Sequence, residues 1–247
     1  MTTVQVDLVR DVDLLCLDAG NTVIFLDHER LAGILREACS FVVDAIILVR
    51  AEGEAKRLAE SNGLVDTSWR GKEKPGAPGW GKMVGTIVHR AGLPLAQVPT
   101  LLAAAWEIHA KRNLWCKVPE GLGAALDAIR AKGVKVAIIS NSEGMLDGLF
   151  RDLGIRDHFD AIVDSGIVGV EKPDPRIFGF ALDRFGVAPE RALHLGDVFA
   201  TDVLGARAAK IRCGLIDPFG HYEGTHLDVA RVPGAVEVAR AISAARP

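Results

Sequence analysis

The stretch at residues 13–18, DLLCLD, decides the fold of this chain, because four apolar residues in it are followed directly by an acid. A short apolar run with polar residues at both ends predicts a strand that is buried on both faces of a sheet. The next residues, 19–22 (AGNT), predict a turn. Asp18 is therefore expected at the carboxyl end of the first strand.

From residue 118 onwards, predicted strands alternate with predicted helices. The strands are expected at residues 134–140 (VKVAIIS), 159–163, 191–196 (RALHLG) and 211–216. Strands that alternate with helices imply parallel βαβ units, so the fold class is α/β with a doubly wound, Rossmann-like parallel sheet. Ligands of such sheets bind beyond the carboxyl ends of the strands. His194, inside one of these runs, is predicted to be a packed strand residue.

The region between residues 27 and 117 has a different pattern. Leu31, Ile34, Leu35 and Ala38 recur at helical spacing, and later segments are rich in helix-forming residues. Residues 71–81 (GKEKPGAPGWG) are dense in glycine and proline and predict a loop. The domain prediction is therefore a catalytic core of residues 1–26 plus 118–247, with a helical cap at residues 27–117.

The bulk composition restricts the class of protein. The chain has 247 residues, of which 49% are hydrophobic and 25% charged, and its net charge is −3. These values are typical of a globular protein and argue against a nucleic-acid partner, which favours a basic balance. There is no apolar run of about 20 residues and no signal-peptide pattern, so no membrane association is expected. The four cysteines lack metal-ligand spacing, which favours a reducing, cytoplasmic location. A monomer or a homodimer is expected.

Groups with chemical capability gather at the predicted strand ends. A hydroxyl and an amide can donate to an anion, a lysine provides a point charge for phosphate, and paired acids offer the oxygen ligands that Mg²⁺ prefers. A carboxylate beside them can attack phosphorus and form an aspartyl-phosphate. The residues are Asp18, Ser140, Asn141, Lys172, Asp197 and Asp202. Their order along the chain predicts a site for phosphoryl transfer.

These residues resemble the four motifs of the haloacid dehalogenase-like hydrolase superfamily. The motifs correspond to residues 18–22 (DAGNT), Ser140 with Asn141, Lys172, and residues 196–197 (GD) with Asp202. Residues 164–178 (DSGIVGVEKPDPRIF) are especially similar to phosphatase-like members with a helical cap between the first two motifs. The resemblance covers nearly the whole chain.

The resemblance assigns roles to individual positions. It implies that Asp18 is the nucleophile of a magnesium-dependent hydrolase acting on a small phosphorylated metabolite, and that Lys172 ties nucleophile and substrate together. It places the metal on Asp18, the backbone carbonyl of Gly20, Asp197 and Asp202, with Asp202 either ligating the ion or supporting its waters. It places the phosphoryl group on Thr22, Ser140, Asn141 and Lys172.

Gly20 departs from the pattern of the family phosphatases. These usually carry a second aspartate two residues after the nucleophile, which protonates the leaving group and then activates water. Glycine has no side chain for that task, and general acid–base catalysis typically contributes about 10²–10⁴-fold. Asp27 and His28, at the start of the predicted cap, are candidates to supply the missing group.

Two other functions remain open because of Gly20. A phosphonatase-type C–P hydrolase would need a cap lysine to form an imine, and Lys56, Lys72, Lys74 and Lys82 lie in the predicted cap. A catalytically silent protein would bind a phosphorylated ligand or a partner without turnover. A dehalogenase, which needs no metal, is disfavoured by Asp197 and Asp202.

Overall fold

The structure is a computed structural model that describes residues 4–66, 69 and 76–246. Within these residues the chain divides into two compact units. The α/β unit comprises the chain up to Phe25, Lys117–Gly220 and the residues from Gly224 onwards. The helical unit comprises the described residues of Leu26–Cys116 together with His221–Glu223.

Helices and strands largely alternate along the chain after residue 117. The strands are β1 (Leu14–Leu17), β2 (Phe25–Leu26), β3 (Trp115–Lys117), β4 (Lys135–Ser140), β5 (Ala161–Asp164), β6 (Ala192–Gly196), β7 (Arg212–Ile216) and β8 (Ala230–Val232). The helices are α1 (Val6–Val9), α2 (His28–Cys39), α3 (Ala45–Glu60), α4 (Ala77–Arg90), α5 (Val98–His109), α6 (Leu122–Ala131), α7 (Leu146–Asp152), α8 (Ser165–Val168), α9 (Arg176–Phe185), α10 (Leu204–Ala208) and α11 (Ala235–Ala245).

Six of the described strands form one parallel sheet in the order β5-β4-β1-β6-β7-β8. The strand β1 lies between β4 and β6, and the later strands are added outwards from it in both directions. The sheet therefore has its topological switch point at β1, and ligands of doubly wound sheets bind at the carboxyl ends of strands at such a point. This sheet, flanked by helices, confirms the predicted α/β, Rossmann-like core.

Helices cover both faces of the sheet. On one face, alternate residues of β1, β4 and β5 join α9 and α10 in a hydrophobic cluster that includes the fully buried Phe178. On the other side, α6 packs against β4 and α11. Because both faces are covered, the central strands are largely apolar, as the buried run Leu14–Leu17 illustrates.

The helical unit has its own core, to which α2, α3, α4 and α5 contribute. The rings of Trp80 and Trp106 pack with their centroids 5.0 Å apart, and His109 stacks on Trp106. A second, polar cluster is also buried: the His28 ring lies 2.9 Å from a Glu52 oxygen, and Lys56 Nζ lies 3.3 Å from His221 Nδ1. His221 thus packs on α3 although it follows β7 in the chain.

Several elements differ from the sequence predictions. The helix α4 begins at Ala77, within the stretch 71–81 that predicts a loop; Pro78 is tolerated there because the first turn of a helix needs no N–H donor from that position. The first part of that stretch, residues 71–75, lies outside the described residues. Strand β8 and the pair β2–β3 were not predicted, since two or three residues are too few to establish a period. No helix of residues 4–66 or 76–246 is long and apolar enough to cross a membrane.

Candidate active site

Three adjacent strands place three of the predicted site residues next to one another. Asp18 directly follows β1, Ser140 ends β4 and Asp197 directly follows β6. The backbone N–H of Asp18 donates to the carbonyl of Leu195, 2.8 Å away, which extends the ladder to the first residue after the strand. All three side chains are buried. The carboxyl end of the sheet is therefore a polar site enclosed by the fold.

The Lys172 ammonium lies between two carboxylates. Its Nζ is 2.5 Å from Asp18 Oδ1 and 2.6 Å from Asp202 Oδ1, and the lysine side chain is 2% exposed. Lys172 reaches this place from the segment between α8 and α9. The structure thus joins Asp18, Lys172 and Asp202, which are far apart in sequence, into one charged cluster.

The charges of this cluster shift one another's pKa values. Burial raises the pKa of Asp18, the nearby charge of Asp202 raises it further, and Lys172 opposes both. Burial alone would raise the pKa of Asp202, but Lys172 and His194 outweigh it and hold that pKa well below its usual range. Burial disfavours the charged form of Lys172, yet its two carboxylate neighbours raise its pKa. Asp18 is therefore the carboxylate whose ionisation gains most from additional positive charge.

The acids fit a divalent cation. Asp18, Asp197 and Asp202 each offer one carboxylate oxygen within 4.8 Å of the others. Three ionised carboxylates with one ammonium leave an excess of two negative charges, which matches the charge and the hard-oxygen preference of Mg²⁺. Asn21 supports this arrangement, because its amide donates to Asp197 Oδ2 at 3.2 Å. Its backbone is left-handed, with φ of 50°, a conformation that asparagine tolerates well.

Gly196 is a glycine because Asp202 lies against it. A Cβ at this position would overlap the carboxyl group of Asp202. Asp202 Oδ2 also accepts a hydrogen bond from the backbone N–H of Val198 at 3.0 Å. The turn that carries Asp202 is a π-helical turn, Phe199–Val203, which precedes α10. Such turns recur at functional sites, and this one aims the carboxylate back towards the end of β6.

Asn141 makes contacts with the Lys172 backbone that the sequence did not predict. Its Oδ1 accepts from the Lys172 backbone N–H at 2.7 Å, and its Nδ2 donates to the Lys172 carbonyl at 2.9 Å. This reciprocal pair fixes the backbone of the lysine. A contact between Asn141 and phosphate remains a prediction, and it would use the second amide hydrogen or the backbone N–H.

Asp164 organises the loop after Ser140. This role of Asp164 could not be seen in the sequence. Its Oδ1 accepts from the N–H groups of Gly144 and Gly166 at 3.0 Å, and its Oδ2 accepts from the hydroxyl of Ser142 at 3.2 Å and from Leu146 N at 3.3 Å. The available signal was an acid at a strand end followed by Ser-Gly, which is typical of a helix cap. The same carboxylate caps α8 and closes the neighbouring loop.

The remaining predicted residues lie in varied surroundings. Gly20 is half-buried in the turn after β1, and its bridge partner is Ile24. Thr22 is 1% exposed, and its hydroxyl has no hydrogen-bond partner among the described residues. Asp27 and His28 belong to the helical unit, where Asp27 caps α2 and His28 pairs with Glu52. Lys72 and Lys74 lie outside the described residues.

A doubly wound sheet with acids and one lysine at its carboxyl edge defines the class of protein, an α/β protein with a carboxylate-lined site. The chain belongs to the haloacid dehalogenase-like hydrolase family, whose model matches residues 12–210. The resemblance of its motifs to that family is therefore confirmed, and the chain is a hydrolase of this family.

Individual relatives agree with this assignment. The chain is 33% identical over 215 residues to haloacid dehalogenase-like hydrolase domain-containing protein 3 of Mus musculus, covering 82% of this chain and 81% of that protein. It is 42% identical over 97 residues to a phosphoserine phosphatase of Thermus thermophilus, covering 38% of each chain. Matches to several other curated relatives span about half of their length. The fold is similar to that of a magnesium-bound HAD-hydrolase of Bacillus subtilis, with a TM-score of 0.66, 15% identity and coverage of 95% of this chain and 98% of that one.

Proposed function

We propose that this chain is a magnesium-dependent phosphohydrolase that forms an aspartyl-phosphate at Asp18 and acts on a small phosphorylated metabolite. The observation that carries the proposal is the Lys172 ammonium, 2.5 Å from Asp18 and 2.6 Å from Asp202, with a third acid beside them. A site that only bound an anion would not need three buried carboxylates, because they repel phosphate unless cations offset their charge.

In the first half of the reaction, an oxygen of Asp18 attacks the phosphorus of the substrate. A new bond forms between that oxygen and phosphorus, and the bond from phosphorus to the leaving oxygen breaks with its electron pair. Lys172 offsets negative charge on the attacking carboxylate and on the phosphoryl oxygens. Ser140 is placed at the adjacent strand end, where its hydroxyl can donate to the phosphoryl group.

In the second half, water attacks the phosphorus of the aspartyl-phosphate, and the bond from phosphorus to the Asp18 oxygen breaks with its electron pair. The proton that the water loses passes to the solvent, which leaves inorganic phosphate and the Asp18 carboxylate. Family phosphatases use an acid two residues after the nucleophile for the accompanying proton transfers, and Gly20 cannot make them. The leaving group must then depart as an anion or take its proton from the solvent. We therefore propose that turnover favours substrates with stable leaving groups.

Asp18, Asp197, Asp202 and the carbonyl of Gly20 would hold Mg²⁺. When bound, the ion supplies positive charge that favours the ionised form of Asp18 and offsets charge on the phosphoryl group. Asp202 already accepts hydrogen bonds from Lys172 and from the backbone N–H of Val198. It could therefore either ligate the ion directly or hold waters that the ion binds. The fit rests on carboxylate oxygens within 4.8 Å of each other.

The proposed substrate class rests on the phosphatase relative and on the burial of the acids. The relative of Thermus thermophilus is a phosphoserine phosphatase, a protein whose substrate is a small phosphorylated metabolite. The acids at the strand ends are buried, which suits the phosphate group of a small molecule better than one on a macromolecular surface.

A panel of phosphate esters, tested for release of inorganic phosphate with Mg²⁺ and with EDTA, examines the proposal. At least one small phosphate ester should be hydrolysed with Mg²⁺, and the release should stop with EDTA. Asp197→Asn should raise the Mg²⁺ concentration needed for half-maximal activity, whereas Asp152→Asn, on the exposed end of α7, should not. Release that persists in EDTA, or none across a broad panel, contradicts the proposal.

A C–P bond hydrolase is the second candidate, and the burial of Lys56 favours it. Lys56 is 4% exposed, beside Glu52 and His221, whereas Lys82 is exposed. An imine-forming lysine is expected to be shielded from water. Borohydride reduction in the presence of phosphonoacetaldehyde should then attach the substrate carbons to Lys56 in the wild type and not in Lys56→Arg. Absence of any such adduct rules this candidate out.

The third candidate, which Gly20 leaves open, is a catalytically silent protein that binds a phosphorylated ligand or a partner. It predicts that beryllium fluoride or vanadate binds at the strand ends while no phosphate ester turns over. Mg²⁺-dependent hydrolysis of any one phosphate ester excludes this candidate.

A further inference from the structure

His194 is a buried titratable residue that the proposed reaction does not use. It lies in the middle of β6, one of the two strands that flank β1, and it is 0% exposed. The edge of its ring packs on Phe178 of α9, with the ring centroids 5.0 Å apart. Its Nε2 lies 3.1 Å from Asp202 Oδ1 and donates to that oxygen.

An apolar residue would pack at this position at lower cost. Among the described residues, the Nδ1 atom of His194 has no hydrogen-bond partner, although it is buried. A buried polar atom without a partner is destabilising, commonly by an amount that a single hydrogen bond elsewhere does not fully offset. A histidine inside a strand whose other side chains are apolar therefore requires a reason beyond packing.

The reason lies in the geometry of Asp202. Its Oδ1 accepts from both Lys172 and His194, and its Oδ2 accepts from the N–H of Val198. Val198 and Lys172 belong to turns, whereas His194 belongs to the central sheet. The histidine is thus the partner that ties the carboxylate to the most rigid element of the unit.

We propose that His194 is a positioning residue: it fixes the orientation of Asp202, which in turn holds the Lys172 ammonium against Asp18. The contacts form a continuous series, from His194 to Asp202 at 3.1 Å, to Lys172 at 2.6 Å, and to Asp18 at 2.5 Å. The ring is separated from Asp18 by two other side chains, so it does not touch the reacting atoms. This inference rests on the proposed function for its kinetic consequence, but the contact itself can be tested separately.

The kinetic test compares two substitutions with one packing control. His194→Leu keeps the volume and removes the donor, His194→Gln keeps a donor, and Phe178→Leu disturbs the packing of the ring without touching Asp202. With a phosphate ester that the wild type hydrolyses, His194→Leu should lower kcat by about 10- to 100-fold, the range expected for misplaced catalytic groups, with little change in KM. His194→Gln should recover most of the loss, and Phe178→Leu should stay close to the wild type. Equal losses in Leu and Gln, or an unchanged kcat in Leu, overturn the inference.

A test by urea denaturation needs no turnover and keeps the two proposals apart. A side chain that only fills space predicts that His194→Leu is at least as stable as His194→Gln, because leucine is better suited to an apolar strand. A donor that holds Asp202 predicts the reverse order. In the Asp202→Ala background the difference between Leu and Gln should disappear. If Gln is the more stable variant while the wild type hydrolyses no phosphate ester, the positioning contact stands and the proposed function fails. If Leu is as stable as Gln or more stable, the inference is overturned whatever the activity.

Discussion

At the scale of single residues, one ammonium group serves two carboxylates. Lys172 lies within 2.6 Å of an oxygen on both Asp18 and Asp202, yet the pKa of Asp18 is raised, chiefly by burial, whereas that of Asp202 is lowered despite its burial. The difference arises because Asp202 also accepts a hydrogen bond from His194, which lowers its pKa. Asp202 is therefore the fixed anion of the pair, and Asp18 is the one whose charge depends on what else binds.

The proposed function makes Gly20 the position that decides how the leaving group is protonated. Gly20→Asp restores a carboxyl group two residues after the nucleophile, so it should raise kcat for an alkyl phosphate by about 100-fold, within the range of general acid catalysis. An aryl phosphate with a stable leaving group needs little protonation and should gain much less. Phosphate release from both substrates measures the effect, with Gly20→Asn as the control of similar size that carries no acid. Equal gains for both substrates, or an equal gain in Gly20→Asn, contradict this prediction.

The buried Glu52 should make the stability of the protein depend on pH. Burial alone raises the pKa of Glu52, but the charge of Lys56 and the hydrogen bond with His28 outweigh it and bring the pKa to about 2. Since the ordinary value is 4.5, the ionised group stabilises the folded state fully above that pH, and the effect is lost as the pH falls from 4.5 towards 2. Glu52→Gln should cost about 3 kcal/mol at pH 7 and progressively less below pH 4.5.

Urea denaturation of the wild type and Glu52→Gln between about pH 7 and 3 measures this dependence. Glu54→Gln, two residues further along α3, is the control: its pair with Arg90 is partly exposed and should contribute less than about 1 kcal/mol. A cost of Glu52→Gln that stays constant down to the acid end, or that equals the cost of Glu54→Gln, would show that the buried charge does not stabilise the fold.

Much of the candidate site could be predicted because Asp18, Ser140 and Asp197 each stand at the end of an apolar run. The parallel sheet then brings Asp18, Ser140 and Asp197 to one edge without any further information. The amide of Asn141 could not be predicted to hold the backbone of Lys172, because that pairing depends on the path of a loop. The role of His194 was hidden for a similar reason: a histidine within an apolar strand predicts packing, and only the returning turn places a carboxylate beside it.

At the scale of elements, the loops that follow the strands are held by side chains from neighbouring strands. Asp164, at the end of β5, accepts from two backbone N–H groups of the loop after β4 and from one hydroxyl there. The same carboxylate accepts from Gly166 N and caps α8. Through these bonds, the segment beyond Ser140 and the segment that leads to Lys172 are joined at one point.

Removal of this junction should destabilise the α/β unit. Asp164→Ala leaves several buried donors without a partner, so it should cost about 3 kcal/mol in the free energy of unfolding. Asp157→Ala, an exposed acid on the same unit, should stay within about 0.5 kcal/mol of the wild type. Chemical denaturation followed by circular dichroism compares the two. A loss below about 1 kcal/mol for Asp164→Ala would mean that the loop is held by other contacts.

The elements themselves could be predicted where a period or an apolar run was long enough. Strands β4 and β6 lie close to the predicted residues 134–140 and 191–196. The short strands were missed because they contain too few residues to alternate. The π-helical turn Phe199–Val203 was missed because its residues also suit an ordinary helix, and the contact between Asp202 and Gly196 decides the difference.

At the scale of the whole molecule, the site depends on an α/β unit that is assembled from separated stretches of chain. The proposed nucleophile, Asp18, precedes the main stretch of the helical unit, Leu26–Cys116, whereas the lysine and the other acids follow that stretch. The sheet order β4-β1-β6 brings these parts together, so neither the stretch before the helical unit nor the stretch after residue 117 contains the complete site by itself. We propose that the helical unit acts as the cap, with residues 27–117 as its extent.

The central claim is that Asp18 attacks phosphorus, and trapping of the aspartyl-phosphate tests it most directly. The enzyme is quenched during turnover of a phosphate ester with Mg²⁺ and reduced with borohydride, which converts an acyl phosphate to an alcohol, and the peptide that contains residue 18 is examined by mass spectrometry. Homoserine is expected at position 18 when substrate and Mg²⁺ are both present, and residue 18 should remain aspartate when either is omitted. The claim would be contradicted by reduction at another carboxylate, or by phosphate release that continues undiminished in Asp18→Asn.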